Sequence, residues 1–361
     1  MKNVLVTGGA GFIGSNFIHF LRRVEAGIRI INLDALTYAG NLGNLAKLAA
    51  SGDYIFIQGD ICNETLIDQV MQQYSIDTVV HFAAETHVDR SISSPIKFVQ
   101  TNVVGTFTLL EAAHRNWLKD PSTQLGDVRF HHISTDEVFG SLLPDEPPFT
   151  ENSSYTPNSP YAATKASSDH LVRSYARTYG LPVTITNCSN NYGPYQFPEK
   201  FIPLIILYAM AGKPLPVYGD GQQVRDWLYV EDHCEAIHAV IKKGKNGETY
   251  NVGGNNQPTN LEILFEICAI LDELLPDSPY RPHSSLVQMV ADRPGHDRRY
   301  AMNIAKINSE LGWTPKWDLR TGLRSTVEWY LSNVGWVNAV LDRPEFNVWM
   351  QKNYNDRGDV K

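Results

Sequence analysis

The first residues of the chain contain the pattern that most restricts its fold. An apolar run, Lys2–Thr7, leads directly into the glycine-rich segment Gly8–Gly14, and an amphipathic stretch follows. A strand that passes through closely spaced glycines into a helix lets the backbone at the helix N-terminus approach a pyrophosphate. The segment therefore predicts the first strand and helix of an open parallel sheet that binds a dinucleotide.

A second apolar run supports this interpretation. Arg29–Leu33 reads as a strand, and Asp34 at its end follows Gly14 by 20 residues. An acidic side chain at this distance accepts a hydrogen bond from the ribose 2′-hydroxyl of a dinucleotide. It would also repel a 2′-phosphate, so we expect NAD rather than NADP. The alternative, a glycine turn without a ligand, is less favoured because the glycines lie between a strand and a helix.

Strand and helix patterns alternate as far as residue 190. This alternation predicts an α/β fold, a Rossmann-type doubly wound parallel sheet with helices on both faces. The further strands are expected at Tyr54–Gln58, Thr78–Ala84, Arg129–Ser134 and Val183–Asn187, and the helices at Asn63–Tyr74, Ile96–Asn116 and Pro160–Tyr179.

After residue 190 the pattern becomes mixed. We expect residues 1–190 to form an NAD-binding domain and residues 191–361 a smaller mixed α/β substrate domain, with segments of about 230–255 returning to the first. Asn190–Tyr195 reads as a loop. Helices are expected within Pro198–Gly212 and at Glu231–Lys242, Leu261–Leu275 and Thr321–Ser332, and a strand at Glu248–Val252.

Composition excludes several classes of function. The 361 residues carry a formal net charge of −8 and no basic run, which disfavours nucleic acid and anionic membranes as partners. The four cysteines are far apart, as expected for reduced thiols rather than disulfides or a zinc site. No metal site, signal peptide or membrane-spanning segment is predicted. We therefore expect a cytoplasmic enzyme.

Candidate catalytic residues follow the fifth strand and open the helix after it. Thr135, Asp136 and Glu137 lie where the strand would reach a ligand crevice, and the two carboxyl groups could act as acid and base. Tyr161 and Lys165 are four residues apart and share a helix face. A neighbouring ammonium favours the phenolate, so we expect Lys165 to lower the pKa of Tyr161.

These motifs together resemble the extended short-chain dehydrogenase/reductase family, in particular its nucleotide-sugar dehydratases. The resemblance spans nearly the whole chain, from Val4 to about Tyr330. Epimerases of this fold lack the carboxyl pair after Thr135, and GDP-mannose dehydratases usually have Ser in place of Asp136. The more specific stretches are Thr135–Glu137, Asn187–Pro194, Arg225–His233 and Asp292–Tyr300.

The resemblance implies a role for each catalytic residue. Tyr161, assisted by Lys165, is similar to the base that deprotonates a sugar 4-hydroxyl during oxidation at C4, and Thr135 to the residue that hydrogen-bonds this hydroxyl. Glu137 would remove the C5 proton, and Asp136 would protonate the departing 6-hydroxyl. The product would be a 4-keto-6-deoxy sugar, and NAD would be regenerated in each turnover.

The resemblance implies a homodimer formed through the helices Ile96–Asn116 and Pro160–Tyr179. It also implies two sets of binding residues. The residues that match cofactor contacts are Gly8, Gly11, Phe12, Ile13, Gly14, Asp34, Ala35, Leu36, Thr37, Asp60, Ile61, Phe82, Ala83, Ala84, Thr86, Thr101, Tyr161, Lys165 and Asn191. Those that match contacts to a nucleotide-sugar substrate are Thr86, Thr135, Asn190, Glu199, Lys200, Pro216, Val217, Tyr218, Arg225, Asn260, Asp292, Arg293, Pro294, Gly295 and His296.

Two questions stay open at this level. The basic loop Ala291–Arg299 is a candidate diphosphate contact, because Arg offers paired donors to phosphate oxygens, or it is a solvated loop. The chain could also be a different nucleotide-sugar dehydratase or a 4-epimerase of the same fold, or a non-catalytic NAD-binding sensor. The carboxyl pair argues against an epimerase, and a sensor would not need all of the catalytic residues.

Overall fold

The structure is a computed structural model that describes residues 1–119, 127–292 and 297–344. A seven-stranded sheet is its centre, with the strand order β10-β6-β5-β4-β1-β2-β3, and all of its paired strands are parallel. The predicted doubly wound α/β fold is therefore confirmed. The strands are β1 Asn3–Thr7, β2 Arg29–Asp34, β3 Tyr54–Gln58, β4 Thr78–His81, β5 Arg129–Thr135, β6 Val183–Cys188, β7 Asn190–Tyr192, β8 Leu215–Tyr218, β9 Trp227–Tyr229, β10 Thr249–Val252 and β11 Val287–Val290.

Helices cover both faces of this sheet. They are α1 Phe12–Val24, α2 Glu64–Gln73, α3 Val88–Ser93, α4 Pro95–Phe98, α5 Thr106–His114, α6 Pro160–Tyr179, α7 Phe201–Met210, α8 Val230–Lys243, α9 Asn260–Leu274, α10 Ala305–Leu311, α11 Leu319–Ser332 and α12 Val334–Leu341. Leu5 of β1 packs in a core with α2, α5 and α6, whereas its neighbours Val4 and Val6 pack with α1 and α8. Because successive side chains of a strand point to opposite faces, a strand buried on both sides reads as a continuous apolar run.

The parallel registers bring the strand ends to one edge of the sheet. Thr7 is level with Leu33 and His81, and Thr135 is level with Cys188. The residues directly after these positions therefore meet above the same edge, which is where open α/β sheets bind their ligands.

Three predicted elements differ from the structure by more than two residues or in type. The fourth strand ends at His81 instead of Ala84, and the Ala83 backbone lies against Gly8 of the glycine-rich loop. The helix predicted at Ile96–Asn116 runs from Pro95 to Lys119 and includes the π-helical segments Val99–Gly105 and Arg115–Lys119. The predicted loop Asn190–Tyr195 begins with β7, which pairs with β9.

A second region lies beyond the carboxyl edge. Its apolar core joins α7, α9 and α11 with β8 and β9. Thr259 and Glu262 form a capping box at the start of α9. The segments α8 and β10 belong instead to the seven-stranded part, where β10 pairs with β6. Within the described ranges, no helix has the length and apolar character needed to span a membrane.

Candidate active site

A cleft of about 350 Å³ opens at the carboxyl edge of the sheet. All five predicted catalytic residues line it, together with nearly all of the predicted cofactor contacts. Leu36 is the exception and lies in an adjoining hollow with Tyr38 and Arg343. The predicted cofactor residues that line the main cleft are Gly8, Gly11, Phe12, Ile13, Gly14, Asp34, Ala35, Thr37, Asp60, Ile61, Phe82, Ala83, Ala84, Thr86, Thr101, Tyr161, Lys165 and Asn191.

The glycine-rich loop forms one wall of the cleft. Gly8 has a φ of +70°, and a Cβ placed there would lie 2.6 Å from the Ala83 nitrogen. At Gly14 a Cβ would lie 2.4 Å from the Gly8 carbonyl oxygen. Only glycine fits such positions, and helix α1 begins directly after Gly11. The loop therefore brings bare backbone and a helix N-terminus to the cleft, which is the arrangement that a dinucleotide pyrophosphate requires.

Asp34 fixes the loop that follows β2. Its Oδ2 accepts a hydrogen bond from the Ala10 N–H at 2.9 Å, and its Oδ1 accepts one from the Leu36 N–H at 2.8 Å. Burial raises the pKa of this carboxyl group, while these two backbone donors act in the opposite direction. Asp34 thus ties the glycine loop to the β2–β3 connection and lies in the cleft itself.

Thr135 organises the turn that carries the two carboxyl groups. It is the last residue of β5, and its Oγ1 accepts a hydrogen bond from the Glu137 N–H at 3.3 Å, which caps a short 3-10 turn over Asp136–Phe139. Its hydroxyl also donates to Asp136 Oδ1 at 3.2 Å. Gly140, with a φ of +83°, ends the turn. The predicted adjacency of Thr135, Asp136 and Glu137 at a strand end is present.

Asp136 is the more deeply buried of the two carboxyl groups. Only 2% of its surface is exposed, and its Oδ2 has no hydrogen-bond partner among the described residues. Burial raises its pKa well above the usual range, and the nearby charges of Glu137 and Asp226 raise it further. This environment favours the protonated carboxyl group, so Asp136 is suited to donating a proton.

Tyr161 and Lys165 lie one turn apart at the start of α6, and both side chains are buried. The Lys165 ammonium donates to the Ile133 carbonyl oxygen at 2.8 Å and lies 3.3 Å from His132 Nε2. Burial lowers the pKa of Lys165 to about 8. Lys165 is therefore anchored on the end of β5, beside the phenol that it is predicted to assist.

The pKa of Tyr161 is raised in this structure, although a neighbouring Lys165 ammonium by itself would lower it. The pKa of Tyr161 lies well above its usual value, because burial disfavours the phenolate and the charge of Glu137 adds to this. The hydrogen bond of the Thr135 side chain acts in the opposite direction and lowers the pKa of Tyr161. The Tyr-x-x-x-Lys spacing indicates a nearby cation but not the desolvation of the phenol, which is the largest effect here.

A buried polar network behind Lys165 was missed by the sequence analysis. Asp169, on the same face of α6, accepts hydrogen bonds from Ser134 Oγ at 2.9 Å and Tyr155 OH at 2.8 Å. Its other oxygen lies 3.3 Å from His132 Nε2. The pKa of Asp169 is lowered despite burial, because His132, Lys165 and Tyr155 favour the carboxylate. The spacing of four residues between Lys165 and Asp169 is the sequence signal that could have revealed it.

Part of the predicted substrate set lines the same cleft. Thr86, Thr135, Asn190, Glu199 and Lys200 are among its walls. Glu199 is 2% exposed and accepts a hydrogen bond from Arg90 at 3.3 Å. Burial raises its pKa, although Lys200 and Arg90 oppose the shift. These residues place charged and amide groups on the side of the cleft that faces the second region.

The other predicted substrate residues that the structure describes do not line the cleft. Pro216, Val217 and Tyr218 form β8, Asp292 accepts a hydrogen bond from Gln223 at 3.3 Å, and the Asn260 N–H donates to the Gln223 carbonyl oxygen. Arg225 donates to the Asp297 carbonyl oxygen at 2.8 Å and is close enough to Asp136 to affect its pKa. Arg293, Pro294, Gly295 and His296 lie outside the described residues. Arg298, in the same basic loop, forms an ion pair with Asp220.

A glycine-rich loop, a Tyr-x-x-x-Lys pair and two adjacent carboxyl groups in one cleft are typical of the extended short-chain dehydrogenases/reductases that modify nucleotide sugars. A family model described as GDP-mannose 4,6 dehydratase matches residues 5–326, and the chain belongs to that family. The resemblance inferred from the sequence is thus confirmed.

Curated relatives of high sequence identity act on one particular nucleotide sugar. A dTDP-glucose 4,6-dehydratase of Xanthomonas campestris pv. campestris is 57% identical over 342 residues, which are 95% of this chain and 97% of the relative. One of Salmonella typhimurium is 53% identical over 98% of this chain and 99% of the relative. The similarity therefore extends through both regions of the molecule.

Solved structures agree with this similarity. A dTDP-glucose 4,6-dehydratase from Streptomyces venezuelae, crystallised with NAD, has a TM-score of 0.84 and 46% identity, and the match covers 94% of this chain and all of that one. A UDP-glucose 4-epimerase from Thermotoga maritima has a TM-score of 0.79 but only 29% identity, over 92% of this chain and all of that one. The fold is common to both enzymes, whereas sequence identity is higher with the dehydratase.

Proposed function

We propose that this chain is a dTDP-glucose 4,6-dehydratase, an NAD-dependent hydro-lyase that converts dTDP-D-glucose to dTDP-4-keto-6-deoxy-D-glucose and water. The observation that carries the proposal is the position of Asp136, Glu137, Tyr161 and Lys165 in one cleft beside the glycine loop. Oxidation at C4 alone would need only the tyrosine and the lysine. The carboxyl pair supplies the acid and the base that loss of water requires.

NAD fits the residues that the structure places at the cleft. The positions of Gly8 and Gly14 leave no room for a side chain, and α1 begins at the pyrophosphate end of the cleft. Asp34 is positioned to accept a hydrogen bond from a ribose hydroxyl, which favours NAD over NADP. When bound, NAD supplies the chemistry of accepting the hydride from C4 and returning it at C6.

Tyr161 is the proposed base of the oxidation. Its phenolate removes the proton of the sugar 4-hydroxyl, and Thr135 Oγ1 hydrogen-bonds the same oxygen. Because burial opposes ionisation of Tyr161, the charge of Lys165 and the hydrogen bond from Thr135 have to stabilise the phenolate during turnover. The C4–O bond becomes a carbonyl as the hydride leaves, so atoms and charge balance.

Asp136 and Glu137 carry the elimination. The new 4-keto group acidifies the C5 proton, and Glu137 removes this proton as the base. Asp136, protonated in its buried position, donates to the departing C6 hydroxyl, which leaves as water. Reduction at C6 and protonation at C5 complete the 4-keto-6-deoxy sugar.

Other assignments belong to the same proposal. Thr86, Asn190, Glu199 and Lys200 would contact the substrate in the cleft, and Pro216–Tyr218, Arg225, Asn260 and the basic loop would contact its nucleotide. Residues 1–190 would be the NAD-binding domain and residues 191–361 the nucleotide-sugar domain, with about 230–255 returning. A role in deoxysugar biosynthesis, such as that of dTDP-rhamnose, and a cytoplasmic location follow from this activity.

A homodimer is also proposed. The helices that run from Pro95 to Lys119 expose several apolar side chains, including Ile96 at 69%, Phe107 at 46% and Val99 at 42%. Exposed apolar residues concentrated along one helical segment are characteristic of a protein interface. A second copy of the chain, packed through this segment and α6, would cover them.

The experiment that tests the function compares three substrates. The purified protein is incubated with dTDP-, UDP- and GDP-glucose, and the products are analysed by mass for loss of water and by NMR for the configuration at C4. We expect loss of one water from dTDP-glucose and a 4-keto-6-deoxy product. A change of configuration at C4 without water loss would indicate an epimerase, and no turnover of any of the three would indicate a non-catalytic NAD-binding protein.

A further inference from the structure

Helix α12, the last helix among the described residues, lies against the loop that follows Asp34, more than 280 residues earlier in the chain. Trp336 Nε1 donates a hydrogen bond to Asn44 Oδ1 at 2.7 Å. Just beyond the helix, Arg343 Nη1 donates to the carbonyl oxygens of Gly40 at 3.0 Å and Tyr38 at 3.4 Å. The end of the described chain therefore contacts the cofactor side of the cleft through side-chain donors.

Asn44 connects this helix to the glycine-rich loop. It is 3% exposed, and its Nδ2 donates to the Ala10 carbonyl oxygen at 3.0 Å. Ala10 in turn donates its N–H to Asp34 Oδ2. His19 Nε2, from α1, lies 2.8 Å from the Asn44 carbonyl oxygen. A short series of hydrogen bonds thus runs from Trp336 through Asn44 to the residues proposed to hold NAD.

The other side of α12 is fixed in the second region. The Trp336 ring lies 5.0 Å from the ring of Trp329 on α11, measured between centroids. Val340 is completely buried in a cluster with Phe197 and Leu204, and Tyr38 packs against this cluster. The helix therefore bridges the nucleotide-sugar region and the loop between Asp34 and Asn44.

We propose that Trp336 and Arg343 are positioning residues that fasten this loop over the cofactor and slow the release of NAD. We call α12 with Arg343 the strap. The inference rests on the proposed function, because an enzyme that regenerates NAD within each turnover has no need to release it. Loss of NAD from such an enzyme requires the loop to move away from the glycine segment, and the strap opposes that movement.

The test measures how fast the NAD-loaded protein loses its cofactor. Trp336→Phe removes the indole N–H but keeps an aromatic ring, and Arg343→Met removes the donors but keeps an apolar stem. Protein loaded with radiolabelled NAD is chased with unlabelled NAD. Each variant should release NAD about three- to tenfold faster, as expected for one lost hydrogen bond, and the double variant faster still. Asn338→Ala, on the exposed face of the same helix, should release NAD within twofold of the parent.

The outcomes separate this inference from the function on which it rests. Parent-like release by the double variant would overturn the strap, and so would a lower melting temperature with unchanged release, because the contacts would then serve stability alone. If the parent forms the 4-keto-6-deoxy product while release is unaffected, only the strap is rejected. If the parent neither retains NAD nor forms product, the proposed function is rejected as well.

Discussion

Lys165 and Asp136 line the same cleft, but burial acts on their proposed roles in opposite directions. Burial raises the pKa of Asp136 and so favours the protonated acid, which is the form that elimination needs. Burial lowers the pKa of Lys165 to about 8 and so favours the neutral amine, whereas oxidation needs the cation. Desolvation alone therefore favours the protonation state that Asp136 needs for elimination. Lys165 needs a nearby negative charge that offsets its burial and keeps it protonated for oxidation.

The structure provides that charge in Asp169. Its carboxylate raises the pKa of Lys165 against burial. His132 lies between the two groups and is itself held neutral, because burial lowers its pKa to about 4. His81 and Cys188 also lie close enough to Lys165 to interact with its charge. Burial alone can keep a carboxylic acid protonated, whereas a buried amine stays protonated only with a nearby anion.

The largest effect is expected for Tyr161→Phe. Phenylalanine keeps the ring but has no proton to exchange, so both C4 oxidation and overall turnover should fall by ~100-fold or more. Stopped-flow NADH absorbance and product mass measure the two quantities. Tyr179→Phe, at the exposed end of the same helix, is the matched control and should behave as the parent. Near-parent turnover of Tyr161→Phe would remove this residue from the mechanism.

A smaller effect is expected for Asp169→Asn, which removes the charge but keeps the shape. In the proposed mechanism activity requires protonated Lys165, whose pKa of about 8 should set the alkaline limb of the rate profile. Without the carboxylate this pKa falls, so the limb should move to lower pH by about one unit, and activity at pH 8 should fall about fivefold. A pH–rate profile measures the shift. An unmoved limb in a folded, NAD-binding variant would show that Asp169 does not support Lys165.

The smallest effect is expected for Ser134→Ala, the control for Asp169. It removes one hydrogen bond to the carboxylate but leaves the charge in place. The alkaline limb should stay within a few tenths of a unit, while the free energy of unfolding should fall by about 1 kcal/mol. If the alkaline limb moved as far in Ser134→Ala as in Asp169→Asn, the shift would be caused by altered packing and not by loss of the charge.

Residues that follow strand ends were predictable from the sequence. Asp34, Thr135 and the glycine loop occupy fixed places relative to apolar runs, and Tyr161 and Lys165 are linked by helical spacing. These signals are local in the chain, and the parallel registers then bring them to one edge. Their positions in the cleft agree with the prediction, although their catalytic roles remain proposals.

Features that depend on tertiary contacts were not predictable. His132 and Asp169 are single residues inside a strand and a helix, and only folding places them 3.3 Å apart behind Lys165. Strands of three or four residues, such as β7 and β9, are too short to show a periodicity. The raised pKa of Tyr161 depends on burial, which a motif does not encode.

The central claim is that Tyr161 and Lys165 serve the oxidation whereas the two adjacent carboxyl groups serve the elimination. It is tested most directly by rapid mixing of the Asp136→Asn and Glu137→Gln variants with dTDP-glucose. Both substitutions keep the side-chain shape but remove proton transfer, which typically costs ~100- to 10,000-fold on the step served. Oxidation should survive, so NADH absorbance should rise and persist while a 4-ketoglucose intermediate accumulates on the enzyme. Formation of the 4-keto-6-deoxy sugar at the parent rate by both variants, or the absence of NADH in both, would contradict the account.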